Sequence, residues 1–177
     1  MNVIGMDVFQ AVEKRKSVRK FKSDPIPDDH LYRILETAHQ APSGGNRQPW
    51  KFIVIKDSER RKQIAAAADS QSFIADAGVV IAALGDPAVS KNLHKQDPMI
   101  AIEHMVLAAT SLGYGTCWIG AFNETEIKNI LKVPASYVVV ALLPIGVPNE
   151  SPQARGRKPF EEVFFRETYG QPMEKQS

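Results

Sequence analysis

Apolar residues recur along the chain in alternating helical and extended blocks. Asp7 offers a capping oxygen for a helix whose apolar positions Val8, Phe9 and Val12 share one face, and the pattern fades by Ser17. Residues 18–21 read as extended. Asp24-Pro25-Ile26-Pro27 then forces an irregular link, because proline fixes its own φ and restricts the residue before it. From near Asp28, the positions Leu31, Ile34, Leu35 and Ala38 follow the i, i+3, i+4, i+7 spacing of a core-facing stripe. This helix ends before Pro42, and a loop over residues 41–50 follows.

Residues 51–56 (KFIVIK) predict a strand, and Ser58 caps a predicted helix running through Ala68. Residues 78–84 (GVVIAAL) are apolar throughout, as a strand covered on both faces should be. Asp97-Pro98 joins a capping oxygen to a residue with no N–H to satisfy, so a helix is expected to start there. It runs through residues 99–112 and stops at Gly113. Its apolar positions nearly encircle it, which predicts a central buried helix despite Glu103 and His104. Residues 116–119 predict a strand. Asn123 with Glu126 resembles a capping box for a helix ending near Val133, and residues 137–145 (YVVVALLPI) predict another buried strand. Past Pro148 the composition turns polar and proline-rich, yet the stretch holds Phe160, Val163, Phe164 and Phe165. A solvated tail seldom carries so many large apolar groups, so residues 149–177 predict an arm that packs on something else, such as another subunit.

Composition narrows the class. The 177 residues suit one domain spanning 1–177, and a monomer of this size buries about 70% of its extended surface. A hydrophobic fraction of 44% excludes disorder, and the single cysteine, Cys117, excludes a disulfide scaffold. One free thiol fits a reducing compartment, so a cytoplasmic location is expected. A net charge of +2 is too small for a nucleic-acid footprint by itself. No apolar run reaches the roughly 20 residues of a membrane helix, and residues 1–10 lack the charged and apolar regions of a signal peptide.

Two basic clusters stand about 140 residues apart: Arg15-Lys16-Ser17-Val18-Arg19-Lys20 and Arg155-Gly156-Arg157-Lys158. Guanidinium forks and a serine hydroxyl suit phosphoryl oxygens, but a solvated helix end suits the helix dipole equally. The loop Ala41-Pro42-Ser43-Gly44-Gly45-Asn46-Arg47-Gln48-Pro49-Trp50 carries more polar groups than a helix-to-strand turn requires. Its glycines let backbone approach a flat ligand, although the same residues are common turn formers. In Gly113-Tyr114-Gly115-Thr116-Cys117-Trp118-Ile119-Gly120 the glycines follow a helix and lead into a strand, the reverse of a dinucleotide fingerprint. The four histidines show no metal-ligand spacing, no GxSxG elbow or P-loop is present, and Cys117 reads as a structural thiol. With no acid/base constellation, any catalysis points to a bound cofactor.

Taken together, the segments RKSVRKF, APSGGNRQPWKFIVI, GYGTCWIGAF, LPIGVP and RGRKPFEEV resemble the nitroreductase family of FMN-dependent oxidoreductases in both order and spacing. The resemblance implies an α+β fold, a mainly antiparallel sheet wrapped by helices. It also implies an intertwined homodimer with C-terminal arm exchange and two FMN sites at the interface. Carried over position by position, Arg15, Lys16 and Ser17 match the FMN phosphate site, and Arg19 matches a cation beside the flavin N1–C2 edge. Pro42, Ser43, Gly44 and Asn46 would reach the isoalloxazine from the other subunit. Gln71 matches a polar residue near the ribityl chain, Ile119 and Gly120 line the ring near N5, and Arg155 and Arg157 complete the phosphate site.

The implied activity is hydride transfer from NAD(P)H through flavin N5 to a nitroaromatic, a quinone or a similar small-molecule acceptor, by a ping-pong mechanism. No side chain is assigned the chemistry itself. An alternative of a different class is a module that stores or senses FMN with little turnover. A binder of nucleic acid or acidic surfaces finds no recognisable motif in the chain. No lid-sized insertion lies between residues 84 and 99 or after residue 112, where larger members carry one.

Overall fold

Strand β2 (Val79–Gly85) is buried along its whole length and forms the centre of a four-stranded sheet of order β1-β2-β4-β3. Its neighbours are β1 (Trp50–Ile55) and β4 (Val138–Gly146), and the short β3 (Gly115–Thr116) lies beyond β4. All three pairings are antiparallel. The structure is a computed structural model that describes residues 6–69 and 71–174. Five residues of the stretch read for a signal peptide, and the last three of the arm, lie outside the described residues.

Side chains alternate across the pleat, and each face of the sheet has its own core. Val79, Ile81, Ala83, Ala141, Leu143 and Ile145 face helices α2 (Asp28–His39) and α4 (Gln96–Ser111). Val80, Ala82 and Leu142 face α3 (Ser58–Ala67) and α5 (Glu124–Leu131), with Ile64, Ile74 and Ile127 filling the layer. A bulge at Val140, opposite Ala83 and Leu84, turns Val139 to the second face, where Leu84 already lies. This is the antiparallel α+β arrangement expected from the sequence.

Five details differ from the sequence reading. Helix α1 (Val8–Lys14) begins in a reciprocal capping box between Asp7 and Gln10, but it buries only Ala11. Its apolar positions Val8, Phe9 and Val12 are exposed, Phe9 by 79%. Asp57, not Ser58, caps α3, accepting from Arg60 N–H at 2.8 Å. Asp97 does not cap α4: the helix starts at Gln96, and Asp97 is inside its first turn. Nor is α4 enclosed all round, since Met99 and Ile100 reach solvent. Residues 116–119 form a strand only at their start, followed by one isolated bridge from Ile119 to Leu142. Asn123 caps α5 as expected, and Gly113, with φ +85, follows α4.

Candidate functional site

The chain leaves α1 through Arg15, whose extended backbone (ψ 124) turns the next residues out of the helix. Ser17 then bridges in parallel to Thr116, and Val18 N–H donates to Thr116 O at 2.9 Å. Just beyond, residues 20–22 run against residues 147–149. Lys22 N–H donates to Val147 O at 2.8 Å, and Asn149 N–H donates to Lys20 O at 2.9 Å. Arg19 N–H ends this ladder by donating to Glu150 Oε1 at 2.5 Å. The C-terminal arm is therefore rooted beside the first basic cluster.

The consequence is a cleft of about 550 Å³ between the two. Arg15, Lys16, Ser17 and Arg19 line one side, and Pro152, Gln153, Arg155 and Arg157 line the other. Five cations thus face one lining carboxylate, Glu13. None of the five is in an ion pair among the described residues. Like charges held together without partners repel, and an anion with several acceptor oxygens relieves that repulsion. A second cleft, of about 750 Å³, holds Lys22, Lys56 and Arg61 but is differently balanced. There Lys56 pairs with Asp28 at 2.5 Å, Arg61 donates to the carbonyl of Ala75 at 3.4 Å, and Asp76 also lines the wall.

Cys117 lies behind the first cleft and is buried. Burial pushes its thiol up, and the nearby Arg19 charge and the Ser17 hydrogen bond only partly oppose that. A thiol so raised stays protonated at neutral pH, in agreement with a structural role.

The glycine loop stands apart from this cleft. Gly44–Asn46 form a 3-10 turn, and Gly45, Asn46 and Gln48 all have positive φ (60, 52 and 50). For Asn46 and Gln48 such backbone costs on the order of 1–3 kcal/mol each, so surrounding bonds must hold it. Ser43 provides them: its carbonyl accepts Asn46 N–H and its Oγ accepts Gln48 N–H, both at 2.9 Å. The Ser43 hydroxyl proton stays free to donate. Gly44 N–H in turn donates to Asp97 Oδ2 at 3.1 Å.

The structure therefore gathers six of the predicted residues in one place: Arg15, Lys16, Ser17, Arg19, Arg155 and Arg157. Pro42, Ser43, Gly44 and Asn46 do not line that cleft, nor do Gln71, Ile119 and Gly120. Gln71 Nε2 donates to Ala121 O at 3.2 Å, which ties it to the segment that carries Gly120. Ile119 is buried in the core, and its N–H and C=O both pair with Leu142 at 3.0 Å. The half-exposed Trp118 ring lies across the neighbouring Gly120. Sequence reading missed Asp97 and Glu150 as site-building residues. Asp97 was visible only as a helix-start signal, and Glu150 sits in a polar stretch with no pattern to mark it. Among the described residues no cluster of His, Cys, Asp and Glu could hold a metal ion, and no helix is long and apolar enough to cross a membrane.

Known proteins share the sequence pattern and the fold. The model of the Nitroreductase family matches residues 12–77 and 68–147. An Archaeoglobus fulgidus protein named as a candidate NADH dehydrogenase/NAD(P)H nitroreductase is 32% identical over 151 residues, covering 81% of this chain and 87% of that protein. A solved nitroreductase family protein from Clostridium novyi NT superposes with a TM-score of 0.78 at 37% identity, covering 94% of this chain and 97% of that one. An FMN-dependent nitroreductase from Clostridium difficile R20291 gives a TM-score of 0.83 at 26% identity, covering 90% of this chain and 98% of its own.

Proposed function

The chain belongs to the nitroreductase family, and we propose that it is an NAD(P)H-dependent oxidoreductase that holds FMN in the cleft between its two basic clusters. One observation carries this reading: five cations, none in an ion pair among the described residues, and a serine, drawn from both ends of the chain, line one cleft. A phosphate dianion that gives up much of its hydration needs several charge-assisted donors, and either cluster alone offers too few. When bound, FMN supplies hydride and electron transfer between NAD(P)H and a nitroaromatic, quinone or similar acceptor.

The side chains then divide the work. Arg15, Lys16, Ser17, Arg155 and Arg157 hold the phosphate. Arg19 would stand beside the N1–C2 edge of the ring, where its charge would favour the negative charge the flavin takes on when reduced. Gln71 and Gly120, joined through Ala121, flank the ribityl chain and the ring near N5. In this reading Pro42, Ser43, Gly44 and Asn46 reach the ring from a second copy of the chain, as the resemblance to the nitroreductase family implies. A homodimer also covers what one copy leaves bare: Val8, Phe9 and Val12 of α1, Met99 and Ile100 of α4, and Val163 and Phe164 of the arm. Donor and acceptor use the same ring face in turn, which gives double-displacement kinetics.

Purified protein should be yellow, carry FMN, and oxidise NAD(P)H when a quinone is supplied. Protein that stays colourless after FMN is added contradicts the proposal. A flavin-loaded protein that NAD(P)H does not bleach would instead be a storage or sensor module.

A further inference from the structure

Asp97 is only 3% exposed, yet it is a carboxylate in the first turn of α4. Buried carboxylates need partners, and this one accepts the backbone N–H of Gly44 at 3.1 Å, across 53 residues of sequence. The N-terminal end of α4 favours its charge, and a charged acceptor makes the bond to Gly44 stronger than an ordinary loop contact. Gly44 is seated just as closely on the turn before the helix. A Cβ there would overlap Leu93 Cδ1, so any other residue at this position would require the Leu93 side chain to move aside. At the other end of the loop, Asp86 N–H donates to Pro49 O at 2.8 Å.

We infer that Asp97 is a positioning residue, whose carboxylate sets the height of the Gly44 backbone and thereby the face that residues 42–46 present to the flavin ring. The inference rests on the proposal that this loop contacts the ring. With Gly44 N–H committed to Asp97, the Ser43 hydroxyl and the Asn46 side-chain amide are among the donors the loop keeps for a ligand. The Asn46 Oδ1 already accepts from Gln48 Nε2 at 3.2 Å. Asp97 thus selects which groups of the loop meet the ring, without touching it.

The test combines amide hydrogen exchange on the full chain with flavin measurements on the FMN-loaded protein, for wild type, Asp97→Ala and Asp97→Asn. Gly44 N–H should exchange at least about tenfold more slowly in wild type than in Asp97→Ala. Asp97→Asn keeps an oxygen acceptor and should retain most of that protection. Asp97→Ala should still bind FMN, because the phosphate cleft is untouched. Its visible flavin bands should shift, and its reduction by NAD(P)H should slow by about tenfold, small misplacements of reacting groups being this costly. Asp97→Asn should recover to within about threefold of wild type. Equal Gly44 exchange in wild type and Asp97→Ala overturns the inference, as does lost protection with unaltered flavin bands and reduction rate. If Asp97→Ala does not fold, Asp97→Asn decides: unprotected Gly44 with wild-type reduction is again contradictory. Wild-type protein that takes up no FMN sinks the flavin reading instead, and the Gly44 exchange rates then report on the loop alone.

Discussion

Arg19 N–H donates to the Glu150 carboxylate at 2.5 Å, joining residues 131 apart in the chain. Everything that brings the two basic clusters together passes through this contact and the short ladder beside it. The main chain of the first cluster and the root of the arm become neighbours, and residues 152–157 then run along the opposite wall of the cleft. The contact also places a negative charge beside Arg19, the residue proposed to face the flavin ring.

Glu150 therefore has two separable effects. Glu150→Gln keeps an oxygen for Arg19 N–H and removes the negative charge, so FMN should be held at least as tightly as in wild type. Glu150→Ala removes the tether, and FMN affinity should fall by up to about tenfold, or ~1.4 kcal/mol, the size of one modest hydrogen bond. Titration of apoprotein with FMN checks both. Tighter binding by Glu150→Ala would show that the tether does not shape the cleft.

Phe9 tests the homodimer. It is 79% exposed in one copy, on the apolar face of α1. If a second copy covers that face, Phe9→Asp should weaken association by about 2 kcal/mol or more, as loss of a buried aromatic anchor does. Sedimentation equilibrium over a range of concentrations measures this. A dimer constant unchanged by the substitution rules out α1 as the covered surface.

Glu124 gives a pH signature. Burial raises its carboxyl, but the Lys128 ammonium at 2.8 Å and the Val139 N–H at 3.1 Å outweigh that and leave it below the ordinary value. A carboxyl lowered by folding stabilises the native state above its unfolded pKa, and that stabilisation is lost as pH falls through the folded value. Glu124→Gln should melt below wild type at pH 7, and the gap should close below about pH 4. A gap that persists or widens in acid contradicts the assignment.

The sheet and most helices were legible because their signals are local. Continuous apolar runs mark β2 and β4, and the stripe of Leu31, Ile34 and Ala38 marks α2. Helix α1 was misleading for a physical reason: its apolar stripe is genuine, but it faces away from this chain's own core. Asp97 carried a valid helix-start signal, yet its oxygen went to Gly44, a partner that only the tertiary fold supplies. Glu150 was silent for the same reason. The cleft residues could be named only because two distant clusters share one resemblance; charge alone left each as a solvated run.

The central claim is that the two clusters grip one phosphate, and the sharpest measurement compares FMN with riboflavin on Arg157→Ala. Riboflavin lacks the phosphate and is otherwise the same ligand. Loss of one hydrogen-bonded charge should cost about 1.5–3 kcal/mol, or roughly ten- to a hundredfold in FMN affinity, with riboflavin binding unchanged. Arg15→Ala should behave alike, whereas Arg19→Ala should weaken both ligands and lower the flavin reduction potential. An Arg157→Ala protein that binds FMN as wild type does, or loses riboflavin equally, would contradict the account and leave Arg157 an ordinary solvated residue of the arm.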